Sequence, residues 1–296
     1  MIDNVKLRRR DHWLASFTSF SRRTIAPLPF GQFWHEFLIF GIKQAWACVF
    51  AAVMIASILG TYLFYPKDAE FARYDFLFLL ALSMQVLLIL LKFEHRAEAK
   101  VIAIFHVVGT IMEIFKTYKG SWIYPEANFF RIAGVPLFSG FMYSTIGSYI
   151  ARCWRLFDFR FSNYPNRNAT WLLCAAIYLN FFTHHYIFDL RWVIFAATAF
   201  MYRRTWIYFT CDLIPRRMPL LLGFFLVAVF IWFAENIGTF TSVWLYPHQI
   251  KHGWSPVGIE KLGSWYLLMI ISFVLVTAVH EPKKAIAPQP SPLAQA

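Results

Sequence analysis

The sequence predicts an all-α, polytopic membrane fold: eight transmembrane helices in a parallel 4+4 tandem repeat, with both termini cytoplasmic. Three features lead there: a poverty of charge, long apolar runs, and a lopsided distribution of Lys and Arg. Of 296 residues, 59% are hydrophobic, 20% aromatic and 15% charged, where ordinary soluble domains carry roughly a quarter charged residues. Mean hydropathy is +0.50. Residues 44–66, 132–151, 168–188 and 262–280 are free of charge, and each is long enough to cross a hydrocarbon layer of ~30 Å as a helix rising ~1.5 Å per residue. That balance excludes disorder and argues against a soluble globule.

Residues 1–43 form a basic segment, read as cytoplasmic and interfacial, in which Phe33 to Gln44 is an amphipathic, aromatic-rich lead-in. No short apolar core and no A-x-A-like site follow the first basic residues, so no signal-peptide cleavage is expected. The first membrane repeat is assigned to 44–152 and the second to 153–280. Besides the four long runs, 76–91, 101–115, 192–202 and 218–234 are apolar and bounded by charge, which makes eight spans. The sixth is the weakest, because 11 residues separate Arg191 from Arg203. Either that helix is short, or Arg203 and Arg204 snorkel from its cytoplasmic end. Residues 281–296, rich in Pro, Ala and Gln, read as a disordered cytoplasmic tail.

An eight-span chain places successive loops alternately on two sides. Counted so, 20 of the 28 Lys and Arg residues fall with the termini, and the positive-inside rule makes that side cytoplasmic. The net charge of +12 therefore records orientation, and no nucleic-acid partner is expected. Cys48, Cys153, Cys174 and Cys211 show neither metal-ligand nor redox spacing.

At an offset of 122 residues the chain matches itself without gaps. Glu113, Thr117, Trp122, Tyr124 and Pro125 recur as Glu235, Thr239, Trp244, Tyr246 and Pro247. This E-x3-T-x4-W-x-Y-P pattern is the basis for the 4+4 repeat. Four spans per half is an even number, so both halves enter from one side and are related by an axis along the membrane normal. A site is then expected at the interface between the halves.

The aromatic residues of the motif suit the headgroup level, where Trp and Tyr have one wet and one apolar end. An acid in the bilayer is costly and needs a reason. His106, Thr110, Glu113 and Thr117 fall on one helical face, which must point inward, and Ala228, Trp232, Glu235 and Thr239 repeat the spacing with Asn236 alongside. Glu113, Glu235 and His106 are the expected catalytic residues. Thr117, Trp122, Tyr124, Trp232, Asn236, Thr239, Trp244 and Tyr246 are the expected substrate contacts, with Asn180 and His184 added from the fifth span. Neither a metal nor a cofactor is expected, since the histidines lack a di-iron spacing. The small face Gly140, Ser144, Ser148 of the fourth span predicts close helix packing.

The stretch Glu113 to Arg152, with Gly-Ser-Trp-Ile-Tyr-Pro-Glu at 120–126 and Arg-Ile-Ala-Gly-Val-Pro-Leu-Phe-Ser-Gly-Phe-Met-Tyr at 131–143, resembles the DUF817 family of bacterial integral membrane proteins. The likeness extends from about Phe30 to His280. It implies the cytoplasmic (inner) membrane of a bacterium and carries no chemistry with it. A weaker similarity is to membrane carotenoid cyclases and hydratases, whose outline of an acid, a W-x-aromatic and a Pro-Leu is matched by Glu113, Trp122, Tyr124, Pro136 and Leu137. Where the cyclases follow with paired glutamates, this chain has Phe138 and Ser139.

Three function classes remain. An enzyme could use a protonated carboxylic acid to attack the double bond of an isoprenoid or other apolar lipid, with Trp and Tyr ring faces stabilising the cation and His106 as relay. A transporter could use the same acids as proton or cation sites. A non-enzymatic protein could simply bind membrane lipid or an apolar small molecule. The oligomeric state is not legible.

Overall fold

A computed structural model describes residues 12–66, 68–94 and 96–285. The chain is mostly helical. Helices α1 (His12–Thr24), α2 (Gly31–Ala47), α3 (Val49–Phe64), α4 (Arg73–Leu90) and α5 (Arg96–Tyr118) lead into a hairpin of strands β1 (Arg131–Ile132) and β2 (Val135–Pro136). Then come α6 (Phe138–Leu156), β3 (Arg160–Ser162), α7 (Arg167–Thr183), α8 (Arg191–Tyr202), β4 (Trp206–Thr210) and β5 (Pro215–Pro219). The chain closes with α9 (Leu220–Phe240), α10 (Pro247–His252), α11 (Glu260–Val276) and β6 (Lys283–Lys284).

Helices α4 and α9 are each long and apolar enough to cross a membrane, and α2 with α3, bent by 66° at Cys48, makes a third if the pair is one span. The other helices are shorter or more polar: α7 and α11 have 17 residues and α8 has 12, while α5 and α6 carry charged side chains. The eight apolar runs of the sequence nonetheless each overlap a helix.

Several boundaries differ from expectation. The run 132–151 begins as the β1–β2 hairpin, because Ala133 and Gly134 take φ of 48° and 83° and fold the chain into a tight turn. Helix α6 therefore starts at Phe138. Helix α7 stops at Thr183, well before Phe188. Arg203 caps the short α8, its guanidinium 3.8 Å over the Phe200 ring, so it lies just beyond the helix.

The fold is not purely α. Strands β5, β4, β3 and β6 pair in that order, β3 with β6 in parallel and the others antiparallel. Backbone groups in connecting segments need hydrogen-bond partners, and these segments find them in one another. Lys283 and Lys284, expected in a disordered tail, are part of that sheet; residues 286–296 of the expected tail and 1–11 of the basic N-terminal segment lie outside the described residues.

The connections form two contact groups. In one, the four-stranded sheet joins residues from three segments, Arg22 and His35 reach Asp212 on the β4–β5 turn, and Arg155 and His280 meet Glu98. In the other, Arg73 pairs with Glu126, Tyr74 donates to the Val243 carbonyl, and Ile123 bridges Leu245. Between them α5 lies against α6 and α9 against α11. A Cβ on Gly140 would strike His106 and Thr110, and one on Gly147 would strike Phe105, so the small face of α6 is what lets α5 approach.

Candidate paired-carboxylate site

Both copies of the motif fold by the same local rule. At the end of α5 the Ser121 amide donates to the Lys116 carbonyl and the Gly120 amide to that of Thr117; at the end of α9 Val243 donates to Gly238 and Ser242 to Thr239. Each set is the paired closure of a Schellman turn, with the left-handed residue at Gly120 (φ 68°) or Ser242 (φ 56°). The reversal lays the residues 9 and 11 places after each glutamate back along the helix that carries it.

Those residues then grip the acid. Glu113 Oε2 accepts from Trp122 Nε1 and the Tyr124 hydroxyl, each at 2.7 Å, and its Oε1 accepts from the Tyr143 hydroxyl of α6 at 2.7 Å. Glu235 Oε1 accepts from Trp244 Nε1 at 3.2 Å and the Tyr246 hydroxyl at 2.5 Å. Both glutamates are buried, 5% and 4% exposed. Glu113 sits five residues before the end of α5. Pro247 stands at the first position of α10, where its missing N–H costs nothing, and Gln249 holds the Tyr246 amide at 3.1 Å.

The two grips adjoin. Ile123 and Leu245 exchange both backbone hydrogen bonds at 2.9 Å, and the Trp122 and Tyr246 rings meet edge to face with centroids 6.1 Å apart. They are not equal. Glu113 has donors on both oxygens, whereas no hydrogen bond reaches Glu235 Oε2 among the described residues. The position matching Tyr143 is Trp265, whose buried Nε1 has no hydrogen-bond partner among the described residues. Gly238 matches Lys116, and only a glycine there leaves room for the Trp244 ring.

The other expected residues are distributed around this pair. Thr117 is one turn beyond Glu113, its Oγ1 buried and without a hydrogen-bond partner among the described residues. Thr239 receives Trp254 Nε1 at 3.2 Å. Asn236 Oδ1 holds the Val257 amide at 2.9 Å, and Trp232 Nε1 donates to the Val257 carbonyl at 3.1 Å, so these two fix the segment before α11. His106 packs on Phe141 with centroids 4.5 Å apart. Its Nδ1 lies against Gly140, and no hydrogen bond links His106 to Glu113 among the described residues.

Asn180 and His184 lie elsewhere. Asn180 accepts from the Leu190 amide and donates to Asp189, while His184 faces Lys116. Tyr143 and Lys116 were not expected from the sequence. Tyr143 lies outside the duplicated motif; Lys116, three residues after Glu113 on the same helix, was legible as a charge in an apolar neighbourhood.

The sequence matches DUF817, described as a protein of unknown function, over residues 36–273. The chain belongs to the DUF817 family. This DUF817 protein is 42% identical over 249 residues to the uncharacterized protein YoaT of Bacillus subtilis (strain 168), a match covering 83% of this chain and 92% of that one. No solved structure matches it.

Proposed function

We propose that this DUF817 protein is a multi-pass enzyme of the bacterial cytoplasmic membrane that acts on an isoprenoid or other apolar lipid by intramembrane acid catalysis. Glu235 is the acid and Glu113 its partner. The observation that carries this is the inequality of two adjoining buried carboxyl groups: one fully engaged by three donors, the other with a free oxygen. Pairs of acids in unequal surroundings divide the acid and base roles between them.

In the proposed reaction the Glu235 carboxyl proton adds to one carbon of a double bond, leaving a cation on the lipid and a carboxylate on Glu235. Ring faces of the surrounding Trp and Tyr residues stabilise the cation. Loss of a neighbouring C–H proton to a carboxylate restores the starting charge, so the product is an isomer of the substrate. Chemistry of this kind is also what the resemblance of the Glu113, Trp122, Tyr124, Pro136, Leu137 outline to membrane carotenoid cyclases would imply.

An eight-span, parallel 4+4 bundle with both termini cytoplasmic is the arrangement we propose for it. The two contact groups support this, because each contains only connections that alternate spanning would put on one side. The Ile123–Leu245 bridge joins residues 122 apart, as an axis between the halves requires.

Expression in a polyprenyl- or carotenoid-producing bacterial host, with lipids profiled by mass spectrometry, tests the proposal. A new isomer is expected with the wild type and none with Glu235→Gln. An unchanged profile, or a change that Glu235→Gln preserves, contradicts it. A proton-coupled transporter is the second reading, favoured by the buried Ser148 and Arg152 further along α6, which meet the buried Glu94 from the segment before α5; proton flux in vesicles that is lost in Glu113→Gln would select it.

A further inference from the structure

Beside the carboxylate pair lies a cluster of basic side chains around Lys116. Lys116 is 7% exposed. Its Nζ stands 3.2 Å from His184 Nε2, 2.8 Å from His185 Nε2 and 4.5 Å above the Phe181 ring. His184 Nδ1 lies 2.9 Å from the Asn180 carbonyl oxygen, so the proton belongs on Nδ1 and Nε2 offers a lone pair to the ammonium. The ammonium has three donors, and the imidazoles occupy two.

No carboxylate lies within ion-pair distance of Lys116 among the described residues. Asp189, whose charge reaches it, is already engaged by Asn180 and Arg191. Lys261 and Arg191 add further positive charge at Lys116. Lys261 stands 4.7 Å over the ring of Tyr246, the phenol that grips Glu235; the charges of Glu235 and Glu260 reach it, but neither carboxylate is within ion-pair distance among the described residues. A buried cation without an ion-pair partner is costly, and the Lys116 ammonium keeps one N–H donor that no carboxylate fills among the described residues, which suits an anion.

In the eight-span arrangement proposed above, the level of Lys116 points to the source of that anion. Lys116 is two residues from the end of α5, and Tyr118, Tyr186 and Trp192 are exposed nearby at 81%, 66% and 79%. Aromatic rings of that exposure mark the headgroup level. Glu113 lies one helical turn deeper, ~4.5 Å along the axis.

We infer that Lys116 and Lys261 bind the anionic headgroup, phosphate or carboxylate, of an amphiphilic lipid whose apolar chain runs past the glutamate pair, with His184 and His185 holding the Lys116 ammonium in place. This rests on the paired carboxylates being a lipid site and names the class of lipid: anionic at one end and apolar beyond it.

Native mass spectrometry of the full chain, released from a neutral detergent containing equal phosphatidylglycerol and phosphatidylcholine, tests the inference. The wild type is expected to retain phosphatidylglycerol preferentially, and Lys116→Gln to reduce that preference about tenfold, the effect of losing one charge-assisted hydrogen bond. Lys116→Arg retains it. Lys251→Gln removes the same charge from an exposed site and should behave as wild type, separating a built site from general attraction to a basic protein. Should Lys116→Gln fail to fold, Lys261→Gln carries the same expectation. Equal preference in the folded Gln variants overturns the inference, as does displacement of the lipid by millimolar inorganic phosphate alone. Glu235→Gln should leave lipid retention intact while abolishing conversion, so failure of the headgroup site and failure of the acid chemistry give different results.

Discussion

Ile123 and Leu245, 122 residues apart in the chain, exchange both of their backbone hydrogen bonds at 2.9 Å. The bridge lies between two Trp-x-Tyr segments, and each segment turns back to hold the glutamate of its own helix. Two distant helices thus deliver their acids to one place through the loops that follow them.

Removing the acids should have unequal costs. Glu113→Ala strands three donors, Trp122, Tyr124 and Tyr143, while Glu235→Ala strands two. Each buried orphan costs about 1–3 kcal/mol. Thermal unfolding in detergent should give a lower midpoint for Glu113→Ala than for Glu235→Ala; the reverse order would mean that the donors find other partners.

The helix ends offer a second comparison. Gly120 has φ 68° and nothing near its missing Cβ, so Gly120→Ala should cost only the backbone penalty of about 1–2 kcal/mol for a left-handed residue. Ser242 pays that penalty already at φ 56°, and Ser242→Gly should raise stability by up to about 1 kcal/mol. Denaturation midpoints moving together in one direction would refute the shared turn geometry.

Arg152 and Glu94 form a buried pair at 3.3 Å, each no more than 5% exposed. Removing one partner leaves the other charge bare, at a cost of about 3–5 kcal/mol, whereas a hydrophobic replacement of both is much milder. Arg152→Met and Glu94→Leu, singly and together, should show strong non-additivity in a double-mutant cycle; additive losses would mean the pair does not couple.

Acid should loosen the N-terminal helices. Burial opposes the charge on Asp212, which lies on the β4–β5 turn, but hydrogen bonds from Arg22 at 2.7 Å and from His35 at 3.0 Å outweigh it and hold the carboxyl below its ordinary 3.8. A depressed folded pKa contributes stability above the unfolded value that disappears as pH falls through the folded one. Proteolytic cutting between α1 and α2 should therefore increase below pH 3.8 in the wild type, whereas Asp212→Asn should be cut readily already at neutral pH; equal protection of both proteins would remove Asp212 from that contact.

Much of the helical pattern was legible because apolar runs bounded by charge are a one-dimensional signal. The glutamates and their Trp and Tyr partners were legible through duplication, since a pattern that occurs twice stands out from composition. The rest is relational. Tyr143 reaches Glu113 from another helix, and nothing local to Tyr143 announces that contact. The four-stranded sheet joins segments more than a hundred residues apart, and strands of two to five residues carry too little alternation to be read. The 131–136 hairpin could have been anticipated from Ala133-Gly134 followed by Pro136, because glycine and proline interrupt an apolar run whatever its hydropathy.

Disulfide formation between Ile123→Cys and Leu245→Cys, in a background without the four native cysteines, most directly tests the claim that both motifs build one site. A hydrogen-bonded antiparallel pair places its Cα atoms about 5.5 Å apart, within disulfide range. Mild oxidation in native membranes should link the two halves, shown by a fragment pair that stays joined after cleavage between them until reductant is added. If the double-cysteine chain stays fully reducible into separate fragments under conditions that oxidise an exposed control pair, the two acids belong to separate places and the paired site does not exist.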